Sequence, residues 1–168
     1  MIARHNAAQF WATIGAIFAV PVLYTGCFTC PKPLRVEPEV IRALVDKIDE
    51  DPYKLHADLT PAVDQLSEMG PQVIPYVLPL MESTNWVTRL HAVRVMHFTT
   101  MGMYCFVRGR GWPHDRSRQR WIDFWRAMGS LRYDGTDAER AKAIQTWRVW
   151  LDEHQIHPVQ PLRPANGG

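Results

Sequence analysis

This chain of 168 residues has little cysteine and few of the short motifs that mark catalytic sites. Its three cysteines are too few for a disulfide framework, and its seven histidines include no HExxH pattern. It also lacks a glycine-rich phosphate loop, a GxSxG turn and a paired-carboxylate motif. These absences predict a protein that binds rather than catalyses, with no cofactor and no metal ion.

The chain also has little excess charge, because nineteen basic and seventeen acidic side chains leave a net charge of +2. A nucleic-acid-binding domain is expected to be more basic, so we expect no nucleic-acid partner. Hydrophobic residues make up 46% of the sequence, and the length suffices for one folded domain with appendages at its ends. The composition therefore excludes a disordered polar chain.

Charge is missing altogether from residues 7–28, AAQFWATIGAIFAVPVLYTGCF. A helix of that length spans about 33 Å, enough to cross the hydrocarbon layer of a bilayer. Residues 1–30 are therefore predicted to form an N-terminal membrane helix or signal anchor. Arg4 favours a cytoplasmic N-terminus, whereas Lys32 and Arg35 oppose it. We expect the body on the periplasmic side of a bacterial cell envelope.

Three fates of this segment remain open. A signal peptidase would find Thr25 and Cys27 at the positions where it requires small residues. The sequence LYTGC resembles a bacterial lipobox, which implies lipidation at Cys27, although Tyr24 stands where that motif prefers leucine. The third fate is retention as a single membrane helix, which the length of the run favours.

Small residues recur along one face of the predicted membrane helix. Such a face lets two membrane helices approach closely, so it would suit packing against the helices of a partner. An alternative is that alanine is simply common in apolar segments. The residues of this face are Ala8, Ala12, Gly15, Ala16 and Ala19.

Cys27 and Cys30 have the CxxC spacing of a redox pair, half a zinc site or a haem attachment site. Haem attachment is excluded because Pro31, not histidine, follows Cys30. The simplest interpretation is one lipidated or buried thiol and one incidental thiol. Cys105 lies in an apolar stretch and is interpreted as a small core residue.

The rest of the chain is predicted to be all-α. A proline-rich linker covers 31–37, a helical body covers 38–155, and an extended tail covers 156–168. Apolar residues at helical spacing, with Asn85 and a Thr136/Glu139 capping box as start signals, mark the helices. The helices are predicted over about 40–48, 55–69, 72–82, 86–101, 118–128 and from 136 onwards. Trp125 and Trp147 are expected to pack between the last two.

One stretch, MGPQVIPYVLPLMESTNWVTRLHAVRVM, resembles one unit of a HEAT-type helical repeat. The matching positions are Gly70, Ile74, Pro75, Val87, Arg89 and Ala92, and the departures are Pro79, Leu90 and His91. Residues 38–69 would form a degenerate preceding unit, so the resemblance covers about 38–101. It implies stacked helix pairs and a curved surface for protein partners.

A third notable segment is rich in arginine, with five arginines between residues 108 and 120. Such a segment can contact the phosphates of anionic lipid headgroups or an acidic protein surface. The alternative is an ordinary solvated loop. The candidate contact residues are Arg108, Arg110, Trp112, Arg116, Arg118 and Arg120.

Together these features predict a non-catalytic, membrane-anchored structural or adaptor subunit. Its expected partners are the lipid bilayer and a larger integral membrane complex of the envelope, for instance a respiratory or photosynthetic one. Two alternatives remain: a free exported lipoprotein of HEAT-like type, and an exported redox or metal-dependent enzyme that uses Cys27 and Cys30 or the histidines.

Overall fold

The computed structural model describes Cys30 and residues 35–158, and within them every regular element is helical. The all-α prediction is therefore confirmed for this part of the chain. The helices are α1 (Pro38–Asp46), α2 (Pro61–Glu68), α3 (Ile74–Val77), α4 (Trp86–Met103), α5 (Asp115–Ala127) and α6 (Asp137–Glu153).

The predicted membrane helix, its small-residue face and Cys27 lie outside the described residues, as do 31–34 of the linker and 159–168 of the tail. Between residues 35 and 158, no helix is both long enough and apolar enough to cross a membrane.

Proline sets the start of the second helix. The apolar pattern predicts a helix over 55–69, but α2 begins at Pro61, which fits a first turn because that position needs no amide donor. Thr60 caps it, accepting from the Val63 amide at 3.1 Å and donating to the Ile48 carbonyl at 3.0 Å. Residues 51–59 are consequently a loop rather than the beginning of a helix.

Prolines also divide the predicted helix over 72–82. A 3₁₀ turn covers Pro71–Val73, α3 follows for one turn, and a second 3₁₀ turn covers Leu78–Glu82. Pro79 lacks the amide that would donate within a continuous α-helix, so the segment tightens there. The helical path is kept, but its hydrogen bonding is not that of one regular helix.

The central element is α4, which packs against α2, α5 and the 3₁₀ turn of Leu78–Glu82. It starts where predicted, because the Asn85 side chain accepts from the Val87 amide at 3.0 Å. Removing apolar side chains from water supplies most of the stabilisation of this core. Its fully enclosed members include Val63, Leu66, Ile74, Val77, Met81, Val95, Met96 and Trp147.

The loop before α2 is fastened to α4 through His91, whose side chain is completely buried. The Nδ1 atom of His91 lies 2.6 Å from Asp49 Oδ1, and Nε2 lies 3.0 Å from the Ala57 carbonyl oxygen. Asp49 also accepts from the Thr88 hydroxyl at 2.5 Å. Both polar ends of the imidazole are thus satisfied inside the fold.

Aromatic side chains join α5 and α6. The ring centroids of Trp125 and Trp147 are 5.8 Å apart, as predicted, and Phe124 lies 5.7 Å from Trp147. Gly129 lets the two helices approach, since it has a φ of +85° and a Cβ there would lie 3.2 Å from the Ala143 Cβ. The Thr136 capping box that starts α6 is confirmed.

Candidate functional site

The arginine-rich segment begins with a tight loop after α4. The Val107 amide donates to the Gly111 carbonyl at 3.0 Å, and the Gly111 amide donates back at 2.8 Å. Gly109 and Gly111 adopt φ values of +79° and +84°, a region that favours glycine. The hairpin-like turn over 107–111 is therefore a defined structure that carries Arg108 and Arg110, and α5 carries the other three arginines.

Arg108 is occupied by contacts within the fold. One guanidinium nitrogen, Nη1, lies 2.5 Å from Asp64 Oδ1, and the group sits 4.7 Å from the centroid of the Phe98 ring. Asp64 also accepts from the Tyr53 hydroxyl at 3.0 Å, and this hydrogen bond raises the pKa of Tyr53. Asp64 thus links the 51–59 loop to the 107–111 turn.

Arg110, Arg116 and Arg118 are exposed and form no ion pair with any residue that the structure describes. Arg120 is also exposed and lies over the Tyr104 ring, at 5.7 Å from its centroid. The acidic residue nearest to them in sequence is Asp115, at the start of α5. All five arginines of the segment are exposed, and Arg108 differs from the other four in being paired with an acid, Asp64.

Trp112 packs into the aromatic cluster. Its ring lies 5.1 Å from Phe106 and 5.7 Å from Trp121, and Trp121 donates from Nε1 to the Thr100 hydroxyl at 3.1 Å. Trp112 is half-buried, so its main role is to hold the arginine-rich segment against the aromatic cluster. It does not present an open surface to a partner.

Cys105, two residues before this turn, is joined to Cys30 by a disulfide, with the two Cα atoms 4.5 Å apart. The sequence leaves Cys30 either as the redox partner of Cys27 or as an incidental thiol, and it predicts a small core residue at Cys105. Cys105 is buried, as predicted, but its sulfur forms a cross-link and is not a free thiol. A CxxC spacing favours pairing Cys27 with Cys30, and no local pattern points across 75 residues.

Sequence reasoning also missed the turn at the tip of the 51–59 loop. The His56 amide donates to the Tyr53 carbonyl at 3.0 Å, which places Lys54 and Leu55 at the two central positions. Leu55 is 90% exposed, the most exposed of the large hydrophobic residues that the structure describes. Leu55 and Leu59 are four residues apart, which is a helical spacing. The apolar pattern therefore predicted a helix at this position instead of a turn.

The histidines and Cys105 do not come together as one chemical centre. His91 is bound to Asp49 and Ala57, whereas His97 packs 4.2 Å from Trp125, ring centroid to ring centroid. Burial lowers the pKa of His97 to about 4, and the charge of Arg94 adds to this shift. No group of three or more His, Cys, Asp or Glu side chains within 35–158 is arranged to hold a metal ion.

Comparison with protein-family models, with curated proteins and with solved structures finds no match to this chain. Any function is therefore inferred from the Cys30–Cys105 bond and the surface around it.

Proposed function

We propose that this protein is a non-catalytic, membrane-anchored subunit whose helical body binds and stabilises a larger membrane complex of the cell envelope. The observation that carries the proposal is the Cys30–Cys105 disulfide. Disulfides persist in oxidising compartments such as the bacterial periplasm and are rare in the cytosol. The bond therefore supports export of the body across the membrane.

The position of the bond supports anchoring as well as export. Cys30 follows the last residue of the apolar run, Phe28, by only two positions. A cross-link there holds the body at the exit of the predicted membrane helix, instead of leaving it on the proline-rich linker alone. This arrangement suits a subunit that must meet integral partners at a fixed height and orientation.

The finer architectural proposal is a HEAT-like arrangement of the body over about 38–101. Its support is that α4 packs against the 3₁₀ turn of Leu78–Glu82 that precedes it, and against α2 on the earlier side. Stacked helices of this kind bury a shared core and present their outer surfaces to partners.

The test is to extract a C-terminally tagged full chain from its native membranes in mild detergent and to identify co-purifying proteins by mass spectrometry. Stoichiometric integral membrane partners are expected. Recovery of a protein that lacks its apolar run and has no partner would overturn the anchored-subunit proposal. A mature chain that starts at an acylated Cys27 would identify the free lipoprotein instead.

Variants of the small-residue face test how the anchor engages its partners. Ala12→Leu with Ala16→Leu fills the face and is expected to lose partners, because close helix approach needs small side chains. The matched control is Ile14→Leu with Ile17→Leu, which leaves the face open and should retain them. Equal retention by both double variants would contradict packing through this face.

A further inference from the structure

The imidazole of His91, on α4, has an oxygen atom opposite each of its two ring nitrogens. The side chain is completely buried. Nδ1 lies 2.6 Å from a carboxylate oxygen of Asp49, and Nε2 lies 3.0 Å from the backbone carbonyl oxygen of Ala57. The first oxygen belongs to the turn that follows α1, and the second belongs to the 51–59 loop. One imidazole therefore holds two separate segments against α4.

The two partners determine how many protons this site holds. A carbonyl oxygen accepts hydrogen bonds and never donates them, and an ionised carboxylate does the same. A neutral imidazole has one N–H group and one bare nitrogen, so it can satisfy only one of these two acceptors. The hydrogen bond to Ala57 requires a proton on Nε2, and a second proton must lie between Nδ1 and Asp49. With the loop closed, the ring is therefore an imidazolium beside a carboxylate.

Asp49 makes this buried cation acceptable. A buried charge is costly unless a charge of opposite sign lies against it and is itself hydrogen-bonded. The second carboxylate oxygen of Asp49 accepts from the Thr88 hydroxyl at 2.5 Å, one turn before His91 on the same helix. The Asp49 carboxylate is thus held in position by α4 on both of its oxygens.

The other charges on the elements around His91 are largely balanced. Arg94, three residues further along α4, is paired with Asp58 of the 51–59 loop, and Asp64 of α2 is paired with Arg108. Asp49 is consequently the charge that favours the second proton on the ring. The exposed ionisable groups on the two segments that His91 holds are Lys47, Glu50, Asp51, Lys54 and His56.

A rise in pH removes one of the two protons from this site. The proton between Nδ1 and Asp49 stays, because a carboxylate is a stronger acceptor than a backbone carbonyl. Nε2 then presents a lone pair to the Ala57 oxygen, 3.0 Å away, and two acceptors at that distance repel each other. The hydrogen bond to the loop is lost, and a buried nitrogen is left without a partner unless the loop opens to water.

We propose that His91 is a proton-dependent latch, which holds the 51–59 loop on α4 while both ring nitrogens are protonated and releases it when Nε2 loses its proton. Within the loop, the Leu59 amide donates to the His56 carbonyl at 2.9 Å, so the latch acts on the turn that carries the exposed Leu55. The loop is closed on the acid side and opens as the pH rises. This inference is independent of the membrane anchor, because every group in the latch belongs to the helical body.

The experiment follows the ring and the loop together in the full chain, in detergent micelles. NMR of isotope-labelled histidine reports which ring nitrogens of His91 carry a proton, and amide hydrogen exchange reports opening at His56 and Leu59. The pH is varied from about two units below to about two units above 6.5, where a free imidazole is half protonated. The amides of α6 are the internal reference, since a global loss of stability would raise their exchange as well.

Both ring nitrogens should be protonated at the acid end, and Nε2 should lose its proton as the pH rises. Exchange in the loop, corrected for its intrinsic pH dependence, should then rise by up to about tenfold per pH unit, because opening is coupled to the loss of one proton. The total increase should be at least about tenfold, since a hydrogen bond from a charged donor contributes that factor or more. Exchange in α6 should not follow it.

Variants test the two parts of the latch. His91→Gln removes the titrating group and should abolish the pH dependence of loop exchange, whereas His56→Gln, at an exposed position in the same loop, should retain it. Asp49→Asn removes the charge that favours the second proton, so Nε2 should lose its proton at a lower pH. The matched control is Asp51→Asn, the same change at an exposed position two residues away, which should leave that pH nearly unchanged.

Two results in the wild type would overturn the latch. One is a bare ring nitrogen on His91 at the acid end while the loop amides stay protected. The other is loop exchange that does not change when Nε2 loses its proton. Both are read without any substitution, so they decide the matter even if His91→Gln does not fold. An equal shift in Asp49→Asn and Asp51→Asn would also contradict the proposal, because the effect would then depend on net charge alone.

Discussion

Arg89 donates from Nε to the backbone carbonyl of Tyr133 at 2.8 Å, across 44 residues of sequence. The same guanidinium donates from Nη1 to the carbonyls of Ser83 at 2.7 Å and Thr84 at 3.1 Å. One side chain thus fixes the turn before α4 and the loop before α6. It joins the two halves of the body without an acidic partner among these contacts.

Replacing Arg89 by alanine is expected to lower the free energy of unfolding by about 2 kcal/mol, because half-buried carbonyls lose a charged donor. Urea unfolding followed by tryptophan fluorescence measures the change. Arg126→Ala is the control, since Arg126 is exposed and its ion pair is with Asp123, within one helix turn. It should change stability by at most about 0.5 kcal/mol, and an equal loss in both variants would contradict the role given to Arg89.

Thiol counting tests the cross-link. The sequence has three cysteines, and Cys30 and Cys105 are bonded, so the denatured unreduced chain should show one reactive thiol and the reduced chain three. Acylation of Cys27 would change the first number to zero. Three thiols before reduction would contradict the disulfide.

Removing the disulfide should destabilise the body. The bond closes a loop with a sequence separation of 75, for which chain entropy predicts a loss of about 4 kcal/mol on opening. Cys30→Ser is the variant to measure, because its side chain is less buried than that of Cys105. Cys27→Ser is the control and should unfold as the wild type does in urea. If Cys30→Ser and Cys27→Ser unfold at the same urea concentration, the prediction is contradicted.

Stability should fall in mild acid because of His97. Its pKa is lowered from 6.5 to about 4 by burial and by Arg94, so the unfolded chain binds a proton that the folded chain does not. Stability is therefore complete above pH 6.5 and is lost as the pH falls towards 4. Between pH 7 and pH 5, His97 should lower the free energy of unfolding by about 2 kcal/mol.

The measurement compares urea unfolding at those two pH values in the wild type and in His97→Phe, which keeps a ring against Trp125. The variant should lose about 2 kcal/mol less than the wild type between pH 7 and pH 5. His56→Gln, at an exposed position in the loop before α2, should retain the wild-type dependence. An unchanged dependence in His97→Phe would show that another group titrates.

The α6 cap leads to a local prediction. Thr136 accepts from the Glu139 amide at 3.3 Å, and the Glu139 carboxylate accepts from the Thr136 amide at 2.8 Å, which lowers the pKa of Glu139. Thr136→Ala should cost about 1 kcal/mol, read from the thermal midpoint. Thr146→Ala, inside the same helix, should cost nothing, because alanine is the better helix former. A larger loss in Thr146→Ala would refute the assignment.

The sequence predicted those features whose signals are local. Asn85 and the Thr136/Glu139 box mark helix starts because a cap and its amides lie within three residues of each other. Trp125 and Trp147 could be paired because each lies on the apolar face of its predicted helix. These contacts depend on helix geometry alone.

Other features depend on which distant segments the fold brings together. Arg108 finds its acid at Asp64, 44 residues earlier, and Cys105 finds Cys30 across 75 residues. Pro61 is compatible with a kink or with a first turn, and the choice depends on Thr60 reaching Ile48. The candidate surface was therefore predicted as a set of arginines, while the structure divides them into Arg108, which is paired with Asp64, and the others, which form no ion pair with a described residue.

The cross-link between Cys30 and Cys105 also sets the covalent topology of the chain. It closes a covalent ring that contains α1 to α4, whereas α5 and α6 lie outside the ring and are held by packing. A protease that cuts once between residues 31 and 104 therefore leaves every piece attached to the N-terminal segment. A single cut just after Cys105 releases the fragment that carries α5 and α6 once the packing opens.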